Sequence, residues 1–331
     1  MGIERCCLDG WIGARIGAAN PTIEAVRRYQ LIRLQTVLRY AAARSPFYAA
    51  RLGGLTELGR FSDFERIPPL TAADLTENGN RLLCVEQERV CRVFTSGTTG
   101  APKRLCFTKE ELSATVDYFT AGSRQFLKPG DRALLLFDSR AENGAGQLFT
   151  AAAARLRVLA TPYGIPPEGA AGCRAVRRAR PSLVLAAPDT ARAMLACGEE
   201  AAFDTLLLSG DGLLPGEREA FESRFRCRVF QQYGLTESAF GLGVDCKAFC
   251  GYHLREPDYY VEIVGADGTT LPAGETGRVV ITSLICGAMP LVRYDTGDRG
   301  RYLPEPCPCG SELPLLDRVR PRNVQKGYRR E

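Results

Sequence analysis

Apolar positions change their rhythm along this chain, and the rhythm predicts its elements. Over residues 22–44, Ile23, Val26, Tyr29, Ile32, Leu34, Val37 and Leu38 recur near a 3.6-residue period, which predicts one amphipathic helix. Prolines and glycines then break residues 46–71 into short pieces. A capping box formed by Thr108 and Glu111 opens a second helix. Beyond it, apolar runs at 132–137, 157–161, 182–187, 204–209 and 227–231 alternate with helix-like segments at 145–155, 168–179, 189–198 and 215–225. Continuous runs joined by crossover helices are the pattern of strands buried on both faces of a parallel sheet. The expected fold is therefore α/β, a doubly wound sheet with ligands at the carboxyl ends of its strands. After about residue 241, glycines and prolines punctuate short β-prone runs at 259–264, 278–284 and 291–294, which predicts a small β-rich unit. The implied division is a helical N-terminal region over residues 1–90 packed on the core, an α/β core over 91–240, and a β-rich subdomain over 241–331.

Composition narrows the class without naming a function. With 331 residues, 45% of them apolar and 24% charged, the chain can bury a substantial core. Its net charge of +5 is spread along the sequence. One basic cluster, Arg174, Arg177, Arg178 and Arg180, has helical spacing and reads as a solvated helix face, with a docking patch for an anion as the alternative. Nothing resembles a nucleic-acid module, and no window is apolar enough to span a membrane. The N-terminus shows no signal-peptide pattern, and thirteen cysteines then point to a reducing cytoplasm. Of these, Cys84, Cys91, Cys173, Cys197, Cys227 and Cys286 are expected to fill the core.

Three segments carry chemistry. The first is Phe94-Thr95-Ser96-Gly97-Thr98-Thr99-Gly100-Ala101-Pro102-Lys103, directly after an apolar, β-prone run. Two glycines let backbone amides converge on an anion, the hydroxyls add short donors, and Lys103 adds a positive charge. The spacing is not that of a Walker A loop, because Gly97 and Gly100 lie three apart and Arg104 follows the lysine. The second is Gln231-Gln232-Tyr233-Gly234-Leu235-Thr236-Glu237 at a predicted strand end, where a hydroxyl and a carboxylate suit Mg²⁺ shared with phosphate. The third is Arg293-Tyr294-Asp295-Thr296-Gly297-Asp298, where an aspartate on a tight Thr-Gly turn can accept the vicinal hydroxyls of a ribose. A metal candidate lies beside them. His253, the only histidine, follows Cys246 and Cys250, and Cys307-Pro308-Cys309-Gly310 forms a knuckle. Three thiolates and one imidazole make a closed tetrahedral set suited to structural Zn²⁺.

In this order and at these separations, the three segments resemble the adenylate-forming superfamily of acyl-CoA synthetases, peptide-synthetase adenylation domains and luciferases. Within it the chain looks most similar to phenylacetate-CoA ligases, on Ala43-Arg44-Ser45-Pro46-Phe47-Tyr48, Leu271-Pro272-Ala273-Gly274-Glu275-Thr276-Gly277 and Ala288-Met289-Pro290-Leu291-Val292-Arg293-Tyr294. The resemblance implies that Thr95, Ser96, Gly97, Thr98, Thr99, Gly100 and Lys103 hold the β- and γ-phosphates of ATP. It implies that Thr236 takes the α-phosphate and Glu237 binds Mg²⁺, with Thr236, Glu237 and Lys103 as the catalytic set. Ser209, Gly210, Asp211, Gln232 and Tyr233 would flank adenine, and Asp298 with Arg322 would hold the ribose. Cys246, His253, Cys307 and Cys309 match the cysteine and histidine positions of that group, with Cys250 as an extra thiol.

The implied reaction joins a small-molecule carboxylic acid, of the aryl or arylacetic class, to AMP as the first half of acyl-CoA ligation. Relatives continue past the Arg322 region into a mobile C-terminal lid domain that this sequence lacks, and the segment between Phe137 and Pro166 is compressed. Coenzyme A, a separate lid or acceptor protein, and a homodimer are therefore the partners expected. The alternative reading is a lidless nucleotide-binding module.

Overall fold

A computed structural model describes residues 3–95, 103–210 and 212–320. The N-terminal part is helical: α1 (Cys7–Ile16), α2 (Ile23–Arg44), α3 (Pro46–Leu52), α4 (Phe61–Phe64) and α5 (Ala72–Asn78). Helix α2 occupies the predicted span, with Thr22 as its N-cap accepting from the Ala25 amide. A hairpin of β1 (Cys91–Phe94) and β2 (Arg104–Phe107) leads into α6 (Lys109–Ser123). The expected capping box is formed there: the Glu111 amide donates to Thr108 Oγ1 at 3.2 Å, and the Thr108 amide to Glu111 Oε2 at 2.7 Å.

Crossover units follow: β3 (Arg132–Leu136), α7 (Ala145–Arg155), β4 (Leu159–Pro162), α8 (Gly169–Ala179), β5 (Leu183–Ala186), α9 (Pro188–Ala196), β6 (Thr205–Ser209), α10 (Glu217–Phe225) and β7 (Arg228–Tyr233). Strands β4, β3, β5, β6 and β7 lie side by side in that order, all parallel. The reason their sequences are apolar throughout is visible in the packing. Leu134, Val184, Leu206 and Val229 enter a core on one face of the sheet, beneath α8, α9 and α10. Their neighbours Leu135, Leu183, Leu207 and Phe230 enter the core on the other face.

The sheet is mixed rather than wholly parallel. Beyond β7 it continues with β8 (Gly243–Asp245), β9 (Tyr252–Leu254) and β13 (Leu315–Leu316), all antiparallel. The links β7–β8 and β8–β9 are too short for a crossover helix, so they reverse the chain. A separate antiparallel sheet holds β10 (Tyr259–Val264), β11 (Gly277–Ser283) and β12 (Tyr294–Gly300). Its last strand corrects the expected run at 291–294: the strand begins at Tyr294 and carries Asp298 itself. Asp298 therefore sits on an irregular strand, with Gly297 at φ 78° and the Asp298 amide donating to Thr296 Oγ1, not on a free-standing turn.

Cys84, Cys173 and Cys227 are buried as expected, while Cys91, Cys197 and Cys286 are only half-buried because they lie near element ends. Arg174, Arg177, Arg178 and Arg180 form an exposed face of α8 and its cap. Arg174 and Arg177 pair there with Glu168 and Glu199, which is the solvated-face reading. Among the described residues no helix is long and apolar enough to cross a membrane.

Candidate nucleotide and acid site

The first chemical segment is closed at both ends by backbone pairing. The Thr95 amide donates to the Lys103 carbonyl at 3.0 Å, and the Lys103 amide to Thr95 Oγ1 at 2.9 Å. The β1–β2 hairpin thus fixes where the intervening residues leave and re-enter the fold. Ser96, Gly97, Thr98, Thr99 and Gly100 themselves lie outside the described residues, as do Asp211 and Arg322.

Lys103 points inward. Its Nζ contacts Glu237 Oε1 at 2.5 Å and the Tyr294 hydroxyl at 3.0 Å, and that hydroxyl donates to the same Glu237 oxygen at 2.9 Å. Three segments far apart in sequence therefore meet in one buried triangle; the exposures are 8% for Lys103, 4% for Glu237 and 0% for Tyr294. Burying these charges would be costly unpaired, so each is held by the others. Sequence reasoning had placed Lys103 and Glu237 in the site but had not singled out Tyr294, although it lies in the third segment.

Glu237 is carried there by the loop after β7. Gly234 is needed for close approach, not for a positive φ: a Cβ on it would sit 2.3 Å from the Phe240 carbonyl oxygen. The sharp reversal is made further on, by Ala239 at φ 48° and Phe240 at φ 69°. Thr236 begins a short 3₁₀ turn beside Glu237 and is half-buried.

Adjacent to the triangle, the Tyr233 hydroxyl donates to Asp298 Oδ2 at 2.9 Å. Burial and the neighbouring Asp298 charge hold the Tyr233 hydroxyl well above its ordinary pKa, so it is a donor at any physiological pH. Ser209 and Gln232 are register partners at the carboxyl ends of β6 and β7, and Gly210 follows at φ 128°. Ser209, Gly210, Gln232, Tyr233, Thr236 and Glu237 thus lie at or just beyond the carboxyl ends of β6 and β7, where the Lys103 side chain and Asp298 of β12 meet them.

At that same edge lies a cavity of about 80 Å³. Phe119, Phe137 and Phe149 supply aromatic walls, Ala145, Leu185 and Ala186 close the apolar surface, and among the described residues Ser209 and Gln232 are its polar lining. This cavity was not legible in residue order, because its phenylalanines come from two helices and a loop and read individually as core.

The metal candidates also converge. Ligand atoms of Cys246, His253, Cys307 and Cys309 all lie within 4.8 Å of one another, and all four residues are buried. Cys246 Sγ is 3.5 Å from Cys307 Sγ, and His253 Nε2 is 3.7 Å from Cys309 Sγ. The edges of a tetrahedral zinc site, from Zn–S and Zn–N lengths, are about 3.5–3.8 Å. Cys250 is half-buried, with its Sγ 3.6 Å from Cys307 Sγ. Donation from Cys246, and then from His253, pulls the Cys309 thiol below the usual thiol range.

The family profile described as "AMP-binding enzyme" matches residues 62–286. The chain belongs to the AMP-binding enzyme family. The phenylacetate-coenzyme A ligase of Thermus thermophilus is 28% identical to this AMP-binding enzyme in a match 310 residues long, with 87% of the chain and 68% of the relative covered. That of Pseudomonas putida is 28% identical, with 86% and 68% covered, and that of Escherichia coli K12 is 25% identical with the same coverage. Among solved structures, 2-hydroxyisobutyryl-CoA ligase in complex with 2-HIB-AMP and CoA superposes with a TM-score of 0.80 at 23% identity, over 91% of this chain and 69% of that one. A benzoate CoA ligase from Burkholderia xenovorans LB400 gives 0.53 at 17% identity, over 71% and 50%. These structural matches show that this AMP-binding enzyme shares the fold of those CoA ligases.

Proposed function

We propose that this chain activates a carboxylic acid of the aryl or arylacetic class with ATP, releasing pyrophosphate and leaving an acyl-adenylate, as the first half of acyl-CoA ligation. One observation carries the reading: the Lys103–Glu237–Tyr294 triangle, the Tyr233–Asp298 pair and an aromatic-walled cavity share one edge of the sheet. Relatives named phenylacetate-coenzyme A ligase support the acid class and CoA as the acceptor. The three phenylalanines of the cavity suit a planar apolar ring, and among the described residues no charged group lines it.

In this reading Tyr233 stacks on adenine, flanked by Gln232, Ser209, Gly210 and Asp211. Asp298 exchanges the Tyr233 hydroxyl for the ribose hydroxyls, with Arg322 as a further ribose contact. Thr95, Ser96, Gly97, Thr98, Thr99, Gly100 and Lys103 hold the β- and γ-phosphates, and Thr236 the α-phosphate. A carboxylate oxygen of the acid bonds to the α-phosphorus while the bond to the bridging oxygen breaks, and pyrophosphate leaves with that electron pair. Catalysis is positioning and charge neutralisation. Lys103 turns from Glu237 to the phosphates, which frees a hard carboxylate oxygen for Mg²⁺. The cation, when bound, supplies screening of the phosphate charges.

The same reading assigns Cys246, His253, Cys307 and Cys309 to a structural Zn²⁺, since their spacing fits its tetrahedron and four protein ligands leave no open position. Thirteen cysteines, all free among the described residues, suit a reducing cytoplasm. The test is pyrophosphate release by the purified chain with ATP, Mg²⁺ and a panel of aryl acids. Release that depends on the acid supports the proposal. ATP raising the melting temperature with no release for any acid would replace it with the nucleotide-binding module.

A further inference from the structure

We infer that Asp9 is the outer carboxylate of the metal centre, taking the second ring nitrogen of His253 and so fastening helix α1 to the cysteine knuckle. The inference rests on the reading of Cys246, His253, Cys307 and Cys309 as metal ligands. His253 turns Nε2 toward the thiols, 3.7 Å from Cys309 Sγ. Its other ring nitrogen, Nδ1, is buried and has no hydrogen-bond partner among the described residues. A buried polar atom left alone in this way calls for an explanation.

The candidates to satisfy it come from the other end of the chain. A carboxylate oxygen of Asp9, Cys6 Sγ and a ring nitrogen of His253 lie within 4.8 Å of one another. Asp9 is 3% exposed, and both of its oxygens are already anchored. Oδ1 accepts from Ser311 Oγ at 2.9 Å, across 302 positions of sequence, and Oδ2 accepts from Arg5 Nε at 2.7 Å. Ser311 follows Cys309 by two residues, so the knuckle that supplies thiols also orients the carboxylate. Each carboxylate oxygen keeps a further lone pair for a third donor.

Binding of a cation at Nε2 leaves the proton on Nδ1, which makes that atom a donor. A fixed carboxylate is then the stronger acceptor than the Cys6 thiol, and carboxylate–histidine–metal chains of this kind raise ligand basicity and fix ring orientation. The Arg5 guanidinium balances the added negative charge beside three thiol ligands. Helix α1 in turn packs on α6, where the Cys7 thiol meets the Gly122 carbonyl at 3.6 Å. Metal occupancy and docking of the N-terminal helix are in this way one event.

The test is zinc affinity of the full chain, stripped with a chelator and titrated against a chromophoric competitor, with Co²⁺ bands as a second readout. Wild type is expected to bind about one zinc. Asp9→Asn should keep that stoichiometry and the Co²⁺–thiolate bands, yet lose roughly 10–100-fold in affinity. The metal-free Asp9→Asn chain should melt as the metal-free wild type does, which a merely structural role would not allow. Should Asp9→Asn fail to fold, Ser311→Ala leaves the charge in place and only unfastens Oδ1; a severalfold loss is expected. Unchanged zinc affinity in either folded variant overturns the inference. So does a Cys6→Ser variant that alone reproduces the loss. A wild-type chain that takes up no zinc overturns the metal reading itself, a distinct result.

Discussion

Glu111 offers the sharpest electrostatic test of this fold. Its carboxylate is 6% exposed and accepts two backbone amides, from Thr108 at 2.7 Å and from Ala288 at 2.8 Å. It fills the space left by Gly287, where a Cβ would lie 1.9 Å from it. Burial raises its pKa from 4.5 to about 7, against the lowering pull of those amides and of Arg255. The other titratable groups felt there are Cys84, Cys91, Cys106, Cys286, Tyr40 and Tyr259, all of which stay neutral below pH 8. A carboxyl whose folded pKa exceeds its unfolded one favours the folded state at low pH, and that advantage is lost as pH rises from 4.5 through about 7. At 1.36 kcal/mol per pKa unit, the loss between pH 5 and 8 is about 2.5 kcal/mol. Urea unfolding at several pH values, comparing wild type with Glu111→Gln, isolates this one group. The difference in stability should shift by that amount in favour of the glutamine variant as pH rises. Parallel curves for the two proteins across pH 5 to 8 would refute the reasoning.

Other consequences follow from the same geometry. Lys103→Ala should fold, with Tyr294 still bonded to Glu237, but bind ATP about 10–100-fold more weakly by calorimetry, the cost of about 1.5–3 kcal/mol for a hydrogen bond to a charged group; unaltered affinity would count against the phosphate assignment. Ala145→Phe fills the aromatic cavity, so acid-dependent pyrophosphate release should fall by at least about tenfold while ATP binding persists, given roughly 1–3 kcal/mol for a misfit group in an apolar pocket; unchanged turnover would place the acid elsewhere. Removing metal with a chelator, or the double change Cys307→Ser and Cys309→Ser, should lower the melting temperature by several degrees, since a loss of about 1–2 kcal/mol shifts a domain of this size by a few degrees; unchanged melting, or metal analysis finding no zinc in folded protein, would dismiss the site.

The class of fold and the order of its elements were written locally. Continuous apolar runs such as 183–186 and 206–208 need two apolar faces, and the two cores on either side of the sheet provide them. The capping box at Thr108 and the helix at 23–44 involve only neighbours in sequence, so neighbours sufficed to foresee them. Lys103, Glu237 and Asp298 could likewise be picked out from short segments. What residue order alone did not decide was which groups touch. Tyr294 joins Lys103 across 191 positions and Glu237 across 57, because strand β12 is laid against the end of β7. The antiparallel extension β8–β9–β13 brings Cys307 and Cys309 to Cys246 and His253, and α1 adds Asp9 from the far terminus. The aromatic cavity, too, exists only where two helices and a loop meet the sheet edge. Periodicity is a property of adjacent residues, whereas these contacts depend on loop reversals such as the one Gly234 permits, and distance along the chain carries no record of them.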